Sequence, residues 1–381
     1  GDWTLYSGTY TESPIPFDAS TQGGDGYYEF YTLATDNADN LEAPPDTPDT
    51  AITVITSYAG TRIYVDQDAT GVASGLDWDN AFLKINTALT IAQGFGVPEI
   101  WVAEGTYPEA IVMNSNLALY GGFAGTETQI NQRDVAAYPT IIDASTASGG
   151  FPADHAVTMI DIVNARLDGF TITGGDADGG NEDSYGGGIF CKALDVSTFI
   201  VNCDVSENSA YYGGGICMID ASPQITDCEV SQNASGDYYG GGGIYGRNAS
   251  PIISGCRIIN NQNGGVSFLG NSAPIIDNCQ IIGNLNTYGA YFASIDSLTL
   301  SNSTIAGNGR SGGYAGLYVA QTSGTINRCV ISGNLSGGIS GYSSNGLVIK
   351  NSIISGNADA GISQSGNFTI VNCTLHSNNS G

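Results

Sequence analysis

The sequence is poor in charged residues, and especially in basic ones. Only 12% of its 381 residues are charged, with 10 Lys and Arg against 37 Asp and Glu, which gives a net charge of −27. The low charged fraction, together with an ordinary 41% hydrophobic content, excludes a charge-rich disordered chain. The negative charge argues against nucleic acid or an anionic membrane surface as a partner.

Long apolar runs and the common catalytic motifs are also missing. No run approaches the ~20 apolar residues that a membrane-spanning helix needs. His155 and His376 are the only histidines, and neither has a nucleophile at a recognisable spacing. There is no Walker or zinc motif. The sequence contains no signal peptide, so we expect it to be a segment of a longer exported polypeptide.

What the sequence does contain is a repeat marked by asparagine. Each asparagine of this row follows a Cys or Ser by five positions, and all but the last precede a Gly and a mostly apolar residue. The gaps of 21 to 28 residues indicate a solenoid. Because an amide both donates and accepts, we expect the side chains to bond from coil to coil, at left-handed corners. The row is Asn208, Asn233, Asn261, Asn284, Asn308, Asn334, Asn357 and Asn378.

The small residue of each repeat predicts buried free thiols. Ser303 and Ser352 replace Cys at this position in two of the repeats. A small inward-facing residue tolerates this exchange, whereas a disulfide-bonded cysteine does not. Cys191 and Cys217 lie outside this row, and a disulfide bond between them remains an alternative. The cysteines of the row are Cys203, Cys228, Cys256, Cys279, Cys329 and Cys373.

Residues 1–57 are rich in β-forming residues separated by Gly, Pro and Asp clusters, which predicts strands near 3–10, 27–35 and 51–56. The stretch from Gly26 to Thr56 resembles the last two strands of a bacterial extracellular immunoglobulin-like domain. This resemblance implies a partial β-sandwich, completed either by other parts of a longer chain or by another subunit.

The following segment, 58–156, predicts one amphipathic helix followed by short strands. Asp77 is its expected N-cap, apolar residues recur at helical spacing from Ala81 to Ala92, and Gly94 is its expected end. This order resembles the N-terminal cap of right-handed parallel β-helix proteins, in which a helix covers the open end of the coils.

Residues 157–381 carry the regular repeats, which resemble those of pectate-lyase-like parallel β-helices. More narrowly, Val205 to Asn208 and Gly213 to Ile216 are similar to polymorphic outer-membrane-protein repeats. The resemblance implies an all-β protein: a right-handed parallel β-helix with an N-terminal capping helix, preceded by the partial immunoglobulin-like sandwich.

Three groups of residues are candidates for function. Asp204, Glu229 and Arg257 share one repeat position on successive coils; a surface ion pair is the favoured interpretation over catalysis. An acidic loop offers oxygen ligands for a structural Ca²⁺, or binds none. Tyrosines before the Gly corners form a candidate glycan or partner surface, with packing over glycines as the alternative. The loop residues are Asp176, Asp178, Glu182 and Asp183, and the tyrosines are Tyr185, Tyr212, Tyr239, Tyr288 and Tyr314.

The leading hypothesis is a non-enzymatic structural or adhesive protein, extracellular or on a bacterial cell surface. Its partners would be copies of itself or adjacent domains, joined into a filament by strand complementation. We expect either a structural Ca²⁺ or no cofactor. A polysaccharide lyase or glycoside hydrolase, with polysaccharide as partner, is the second hypothesis. The third is a glycan-binding module.

Overall fold

Short parallel strands, stacked coil upon coil, make up most of the protein. The computed structural model describes residues 26–30, 50–54, 58, 61–344 and 346–379. Each coil contributes one strand to each of three long parallel sheets, which contain 12, 11 and 10 strands. At a strand spacing of about 4.8 Å, the 12 strands of the longest sheet span about 53 Å. The architecture is a parallel β-helix, as the repeats predict.

The strands belong to three long sheets, named sheets 1, 2 and 3 in the order in which the chain visits them. Sheet 1 contains Ile63–Val65, Glu99–Ala103, Ala118–Phe123, Arg166–Asp168, Phe199–Val201, Gln224–Thr226, Ile252–Ser254, Ile275–Asp277, Leu298–Ser301, Gly324–Asn327, Leu347–Lys350 and Phe368–Val371. Sheet 2 contains Gly105–Tyr107, Thr140–Asp143, Phe170–Thr173, Asp204–Ser206, Glu229–Ser231, Arg257–Ile259, Gln280–Ile282, Thr304–Ala306, Val330–Ser332, Ile353–Ser355 and Thr374–His376. Sheet 3 contains Ile111–Val112, Val157–Ile160, Ile189–Lys192, Ile216–Ile219, Ile244–Arg247, Val266–Leu269, Ala290–Ala293, Leu317–Ala320, Ile339–Gly341 and Ile362–Gln364.

Smaller elements complete the described structure. A three-stranded parallel sheet contains Asp176–Ala177, Ser209–Ala210 and Ala234–Ser235. One α-helix spans Ile85–Phe95, and 3-10 turns span Ile130–Gln132 and Asn181–Ser184. Residues Gly26–Phe30 and Thr50–Val54 pair as antiparallel strands.

Alternation along each strand separates the core from the outer surface. In sheet 3, Ile216 and Met218 face the core, whereas Cys217 between them faces outward. One continuous core of Ile, Val, Leu, Phe and Cys side chains runs from the cap helix along the coils. The period of two in the repeat sequence is therefore the period of the strands.

Two of the three corners of each coil differ in length variation: the corner between sheets 1 and 2 is constant, whereas the corner between sheets 2 and 3 varies. From Asn208 onward, two residues always join a sheet 1 strand to the next sheet 2 strand. Between sheet 2 and sheet 3 the chain takes six residues after Ile259 but twelve after Ser231. Side chains that vary from coil to coil therefore collect at the edge where sheet 2 meets sheet 3.

The asparagine row runs along this variable corner, inside the protein. The side-chain amide and the backbone N–H of Asn233 both donate to Oδ1 of Asn261, at 3.1 and 3.0 Å. The same amide donates to the carbonyl of Val205 at 2.8 Å. The seven asparagines from Asn208 to Asn357 are at most 2% exposed, and the pattern repeats at each step to Asn378. The predicted coil-to-coil bonding is present.

The left-handed backbone of this corner lies one residue before each asparagine, which corrects the expected conformation. Glu207, Gln232 and Asn260 have φ of 59°, 57° and 55°, whereas the asparagines that follow them do not have positive φ. The residue with positive φ turns its own side chain to solvent. The asparagine can then point inward and reach the next coil.

The cysteine row faces the core as predicted, and its thiols are free. Burial raises the pKa of the Cys329 thiol. The hydroxyl of Ser303, at the same position, donates to the Ser301 carbonyl at 2.6 Å and accepts from the Cys279 N–H at 3.0 Å. Cys191 and Cys217 are also free; they lie on opposite faces of sheet 3, so no disulfide joins them.

The cap helix is present, but both of its expected ends are wrong. Asp77 instead accepts from the N–H of Asn80 at 2.8 Å within a turn. The helix begins at Ile85, where the carboxylate of Glu109 accepts from the backbone N–H groups of Ile85 and Asn86 at 2.8 and 2.9 Å. It ends before Gly96, whose φ is 67°. Phe82, which lies inside the predicted helix, instead forms a parallel bridge with Val65, so the helix starts after it.

The predicted division at residues 57/58 and 156/157 stays a prediction. The first strand of the coils is Ile63–Val65, and sheets 1 to 3 continue without interruption through Val157. The antiparallel pair Gly26–Phe30 and Thr50–Val54 lies where the immunoglobulin-like strands are predicted. The remaining residues of that predicted sandwich, including 3–10, lie outside the described residues.

Candidate functional site

The outer face of sheet 3 carries two clusters of aromatic side chains. The first cluster comprises Tyr185, Phe190, Tyr212 and Tyr245. Its rings follow one another along the rod, with centroids 5.3 Å apart for Tyr185 and Tyr212 and 5.1 Å for Tyr212 and Tyr245. Phe190 and Tyr245 are buried around Cys217. The first cluster is therefore a small second core outside the sheet.

His155 belongs to the edge of this first cluster. Its ring lies 4.9 Å from that of Phe190, and its Nδ1 lies 3.1 Å from the Gly186 carbonyl oxygen. Burial lowers the pKa of His155, so the imidazole is neutral at pH 7. Stacking and a backbone contact account for this histidine without a catalytic role.

The second cluster comprises Tyr238, Tyr239, Tyr288, Tyr291, Tyr314 and Tyr318. Tyr291 and Tyr318 stack almost parallel with centroids 4.9 Å apart, and Tyr239 packs on Tyr291 at the same distance. Tyr238 and Tyr239 are 45% and 46% exposed. Unlike the first cluster, the second presents rings to solvent. It is a surface on which a flat apolar face can stack.

Burial keeps the phenol groups of Tyr288 and Tyr291 in the second cluster protonated. It raises the pKa of Tyr288, and it raises the pKa of Tyr291 to about 12, with the neighbouring Tyr318 as the next cause for both. Protonated phenols both donate and accept hydrogen bonds. The cluster therefore offers neutral polar groups beside its ring faces.

One serine interrupts the aromatic column beneath the second cluster. In the register of sheet 3, the outward column reads Phe190, Cys217, Tyr245, Ser267, Tyr291 and Tyr318 on successive coils. Ser267 is 1% exposed, and its hydroxyl has no hydrogen-bond partner among the described residues. The rings of Tyr239, Tyr288 and Tyr291 close over it and leave no room for a water-sized molecule.

The five predicted tyrosines are divided between the two clusters. Tyr185 and Tyr212 belong to the first, and Tyr239, Tyr288 and Tyr314 to the second. The sequence interpretation missed Tyr245, Tyr291 and Tyr318, which lie on the strands themselves. Each follows the Gly-apolar pair of its repeat directly, so the outward position of the strand was readable from the period of two.

The predicted charged column is assembled as expected from its register. Asp204, Glu229 and Arg257 are direct neighbours on three strands of sheet 2. Arg257 Nη1 contacts Glu229 Oε2, and half of the Arg257 side chain is exposed. This arrangement is a surface ion pair, for which solvent screening leaves a small contribution to stability.

The side chains of two acidic loop residues pair with different neighbouring residues. Asp176 accepts from the hydroxyl of Ser209, and Glu182 pairs with Lys192. Desolvation raises the pKa of Asp154, and nearby Asp183 is the next cause. Within the ranges that the structure describes, no three His, Cys, Asp or Glu side chains meet as a metal-holding group.

A buried ion-pair cluster that the sequence did not reveal surrounds Asp168. Its carboxylate is fully buried and accepts from Arg133 Nη2 and Arg166 Nη2, both at 2.6 Å. The ring of Tyr120 lies 5.2 Å from the Arg133 guanidinium carbon. All three charged groups are paired and partly covered, which is the arrangement of a structural tie between the first coils.

An open groove of about 600 Å³ lies along the variable corner, outside the asparagine row. Glu207, Gln232, Asn260 and Gln262 line it, and Glu207 is the only charged residue among its lining residues. Hydrolysis of a glycosidic bond needs two carboxyl groups flanking the bond. This groove does not supply the second one.

Comparison with known proteins identifies the coil region. A family model described as the right handed beta helix region matches residues 187–314 and 286–381, together more than half of the chain. No curated protein sequence matches the chain.

Solved structures with similar coils include three proteins of different kinds. Pectate lyase Pel9A is 14% identical, with 86% of this chain and 79% of that chain covered, at a TM-score of 0.47. PfbA, a surface adhesin of Streptococcus pneumoniae, is 14% identical, with coverages of 78% and 88% and a TM-score of 0.41. The A-module of the Azotobacter vinelandii mannuronan C-5 epimerase AlgE4 is 15% identical, with coverages of 83% and 96% and a TM-score of 0.45.

The family match spans the repeats on which the asparagine and cysteine rows lie. The chain belongs to the right-handed parallel β-helix family.

Proposed function

We propose that this protein is a non-enzymatic adhesive and structural protein, extracellular or on a cell surface, that binds glycans through the second tyrosine cluster. The observation that carries the proposal is a group of contacting tyrosines, two of them nearly half exposed, on the outer face of sheet 3. Aromatic rings offer the C–H faces of sugars an apolar surface, and their phenol groups hydrogen-bond to sugar hydroxyls.

The charged residues support binding rather than turnover. Glu229 of the predicted column contacts Arg257, and the open groove along the variable corner has one carboxylate. Neither place pairs two free carboxyl groups across a cleft, which acid–base cleavage of a glycosidic bond requires. No helix among the described residues is long and apolar enough to cross a membrane.

The experiment combines binding and turnover on one protein preparation. The purified chain is applied to a glycan array and incubated with polysaccharides, with and without Ca²⁺, while unsaturated products and reducing ends are measured. We expect retention of at least one glycan class without product formation. Product formation that disappears in Glu229→Gln would contradict the non-enzymatic proposal and favour the lyase or hydrolase hypothesis instead.

The matched variants for binding are Tyr239→Ala and Tyr211→Ala. Both tyrosines are nearly half exposed, at 46% and 47%, but Tyr211 packs beside the first cluster. Tyr239→Ala should lose glycan binding and Tyr211→Ala should keep it. Unchanged binding by Tyr239→Ala would remove the second cluster as the contact surface.

A further inference from the structure

Three tyrosine rings on the outer face of sheet 3 form a stack that ends at Tyr318. The rings of Tyr291 and Tyr318 are 3° from parallel with centroids 4.9 Å apart, and Tyr239 packs on Tyr291 with centroids 4.9 Å apart. These separations match the spacing of about 4.8 Å between neighbouring strands, so the stack runs along the rod. One face of the Tyr318 ring therefore points to the next coil.

Tyr288 packs beside this stack and does not cover its end. Its ring centroid lies 4.7 Å from that of Tyr318 and 5.4 Å from that of Tyr291. A ring on the far face of Tyr318 would lie about two strand spacings from Tyr291, which is about 9 to 10 Å. Among the residues that the structure describes, no other aromatic ring pairs with Tyr318. The far face of Tyr318 is therefore free of ring neighbours.

The outward column changes from tyrosine to serine directly beyond this face. In the register of sheet 3, Tyr318 is followed by Ser340 and then by Ser363. Ser340 is partly exposed and Ser363 is exposed, in contrast to Ser267, which lies 1% exposed beneath the rings. Two successive positions of the column thus carry small side chains that solvent reaches.

The corners before these two serines are short. Residues 333–338 and 356–361 are six-residue connections from sheet 2 to sheet 3. The preceding corner has ten residues, 307–316, and it brings Tyr314 into contact with the second cluster. The short corners carry no tyrosine that could extend over the serines in this way. The free face of the stack consequently borders an open surface.

The segments beyond the free face carry almost no charge. Residues 333–344 and 356–366, which include both serines and the corners before them, contain no Lys, Arg or His, and Asp359 is their one acidic residue. Asp359 already accepts a hydrogen bond from the Ser336 hydroxyl at 2.7 Å. A sugar carboxylate would lose hydration here without gaining a cationic partner.

We propose that the free face of Tyr318 is the platform on which one uncharged pyranose residue of a bound glycan stacks. The sugar ring takes the next place in the stack, above Ser340, at a separation that one strand spacing provides. Its C–H face lies on the tyrosine. Its hydroxyl groups meet those of Ser340 and of Tyr342, which is 50% exposed on the same coil. Tyr239 supports the opposite end of the stack.

This inference rests on the proposed glycan-binding function and deepens it, because it names the sugar class and the ring face that holds the sugar. A proline-rich peptide would stack on the same face without using the surrounding hydroxyl groups, and the test includes one as a probe.

The test measures affinity by calorimetry, using the full chain. The neutral probes are gluco-, manno- and galacto-oligosaccharides, the acidic probes are oligogalacturonate and oligomannuronate, and the peptide probe is polyproline. We expect at least one neutral probe to bind, and neither the acidic probes nor the peptide.

Two positions test the platform itself. Ser340→Tyr places a ring of the protein on the free face and should abolish binding. Tyr318→Ala removes the platform and should weaken binding about 10-fold, whereas Tyr318→Phe keeps the ring and should stay within about 2-fold of the parent. The matched control is Thr158→Tyr, because Thr158 lies near the other end of the same column, next to Phe190 of the first cluster. Its affinity should equal that of the parent protein.

The outcomes separate this inference from the proposed function. If a neutral glycan binds and Ser340→Tyr leaves its affinity unchanged, or Thr158→Tyr abolishes it as well, the platform is wrong and the adhesive function stands. Binding of the acidic probes alone overturns the assignment of an uncharged sugar. Failure to bind any glycan, or binding of polyproline in their place, overturns both.

Thermal unfolding of each variant shows whether it is folded. If Ser340→Tyr does not fold, the two variants of Tyr318 decide. A difference of about 10-fold between Tyr318→Ala and Tyr318→Phe supports the platform, and equal affinities overturn it.

Discussion

The asparagine row and the outward column of sheet 3 run along the same coils but follow different rules. Every asparagine from Asn208 to Asn357 donates to the next one and is buried with its hydrogen bonds satisfied. The outward column changes from Phe to Cys, Tyr and Ser within four coils, and its serine is unsatisfied. Regularity marks the scaffold, because each coil must fit its neighbour. The less regular column carries the second tyrosine cluster, where the proposed glycan would bind.

The largest effect should come from breaking the asparagine row at its centre. Asn261→Ala removes the acceptor for the backbone and side chain of Asn233 and the donor to the Val230 carbonyl. We expect a loss of about 3 kcal/mol in the free energy of unfolding, because several buried polar groups lose their partners. Urea unfolding measures it. Asn271→Ala, at an exposed asparagine, should change it by less than about 0.5 kcal/mol; equal losses would contradict the scaffold role.

Alkaline pH should act on the outer clusters and leave the asparagine row untouched. The folded-state pKa of Tyr291 is raised from 10.0 to about 12 by burial. Its contribution to stability is therefore full below pH 10 and is lost as the pH rises toward 12. Thermal unfolding between pH 9 and 12, with phenolate absorbance, measures this loss. A Tyr288→Phe/Tyr291→Phe variant should lose less stability over that range, and an identical decline would refute the assignment to these two tyrosines.

Exchanging a thiol for a hydroxyl inside the cysteine row should have a modest effect. Cys256→Ser places a hydroxyl near the Ser254 carbonyl, as Ser303 is placed near Ser301. We expect a loss of about 1 kcal/mol at most, since the net value of a hydrogen bond offsets the loss of a small apolar group. Cys256→Leu should lose about 1–3 kcal/mol because it overpacks the core. Urea unfolding compares the free energy of unfolding of the two variants. A larger loss for Cys256→Ser than for Cys256→Leu would exclude the interpretation of this position as one for a small residue.

The smallest effect should come from the charged column on sheet 2. Glu229→Gln removes the ion pair with Arg257 and should change the free energy of unfolding by less than about 1 kcal/mol, as exposed pairs do. The change should shrink further in high salt. Arg257→Gln serves as the matched variant from the other partner. A loss well above this range, in either variant, would show that the column is more than a surface pair.

Local spacing made the coil architecture predictable. The five-residue spacing from Cys203 to Asn208 recurs without change in the later repeats. It begins at the end of a two-residue corner, spans a strand and ends at an asparagine whose side-chain amide points inward. Registers this regular are set by neighbouring residues, so the sequence displays them directly. The free thiols and the coil-to-coil amide bonds follow from the same pattern.

Features that depend on distant residues were not predictable in this way. The cap helix begins at Ile85 because Glu109, 24 residues later, accepts from its first N–H groups. The pairing of Arg133 with Asp168 likewise joins residues 35 apart. Ser267 looked like any other serine, because its isolation becomes visible only when Tyr239 and Tyr288 are brought over it from the variable corner.

The unequal corners also make the rod a natural display scaffold. The chain between Ser231 and Ile244 is twice as long as the corresponding stretch after Ile259, yet the strands on either side keep their register. Tyr238 and Tyr239 belong to that longer stretch. New binding surfaces can therefore be grafted at the edge between sheets 2 and 3, one coil at a time, while the two-residue corners between sheets 1 and 2 remain fixed.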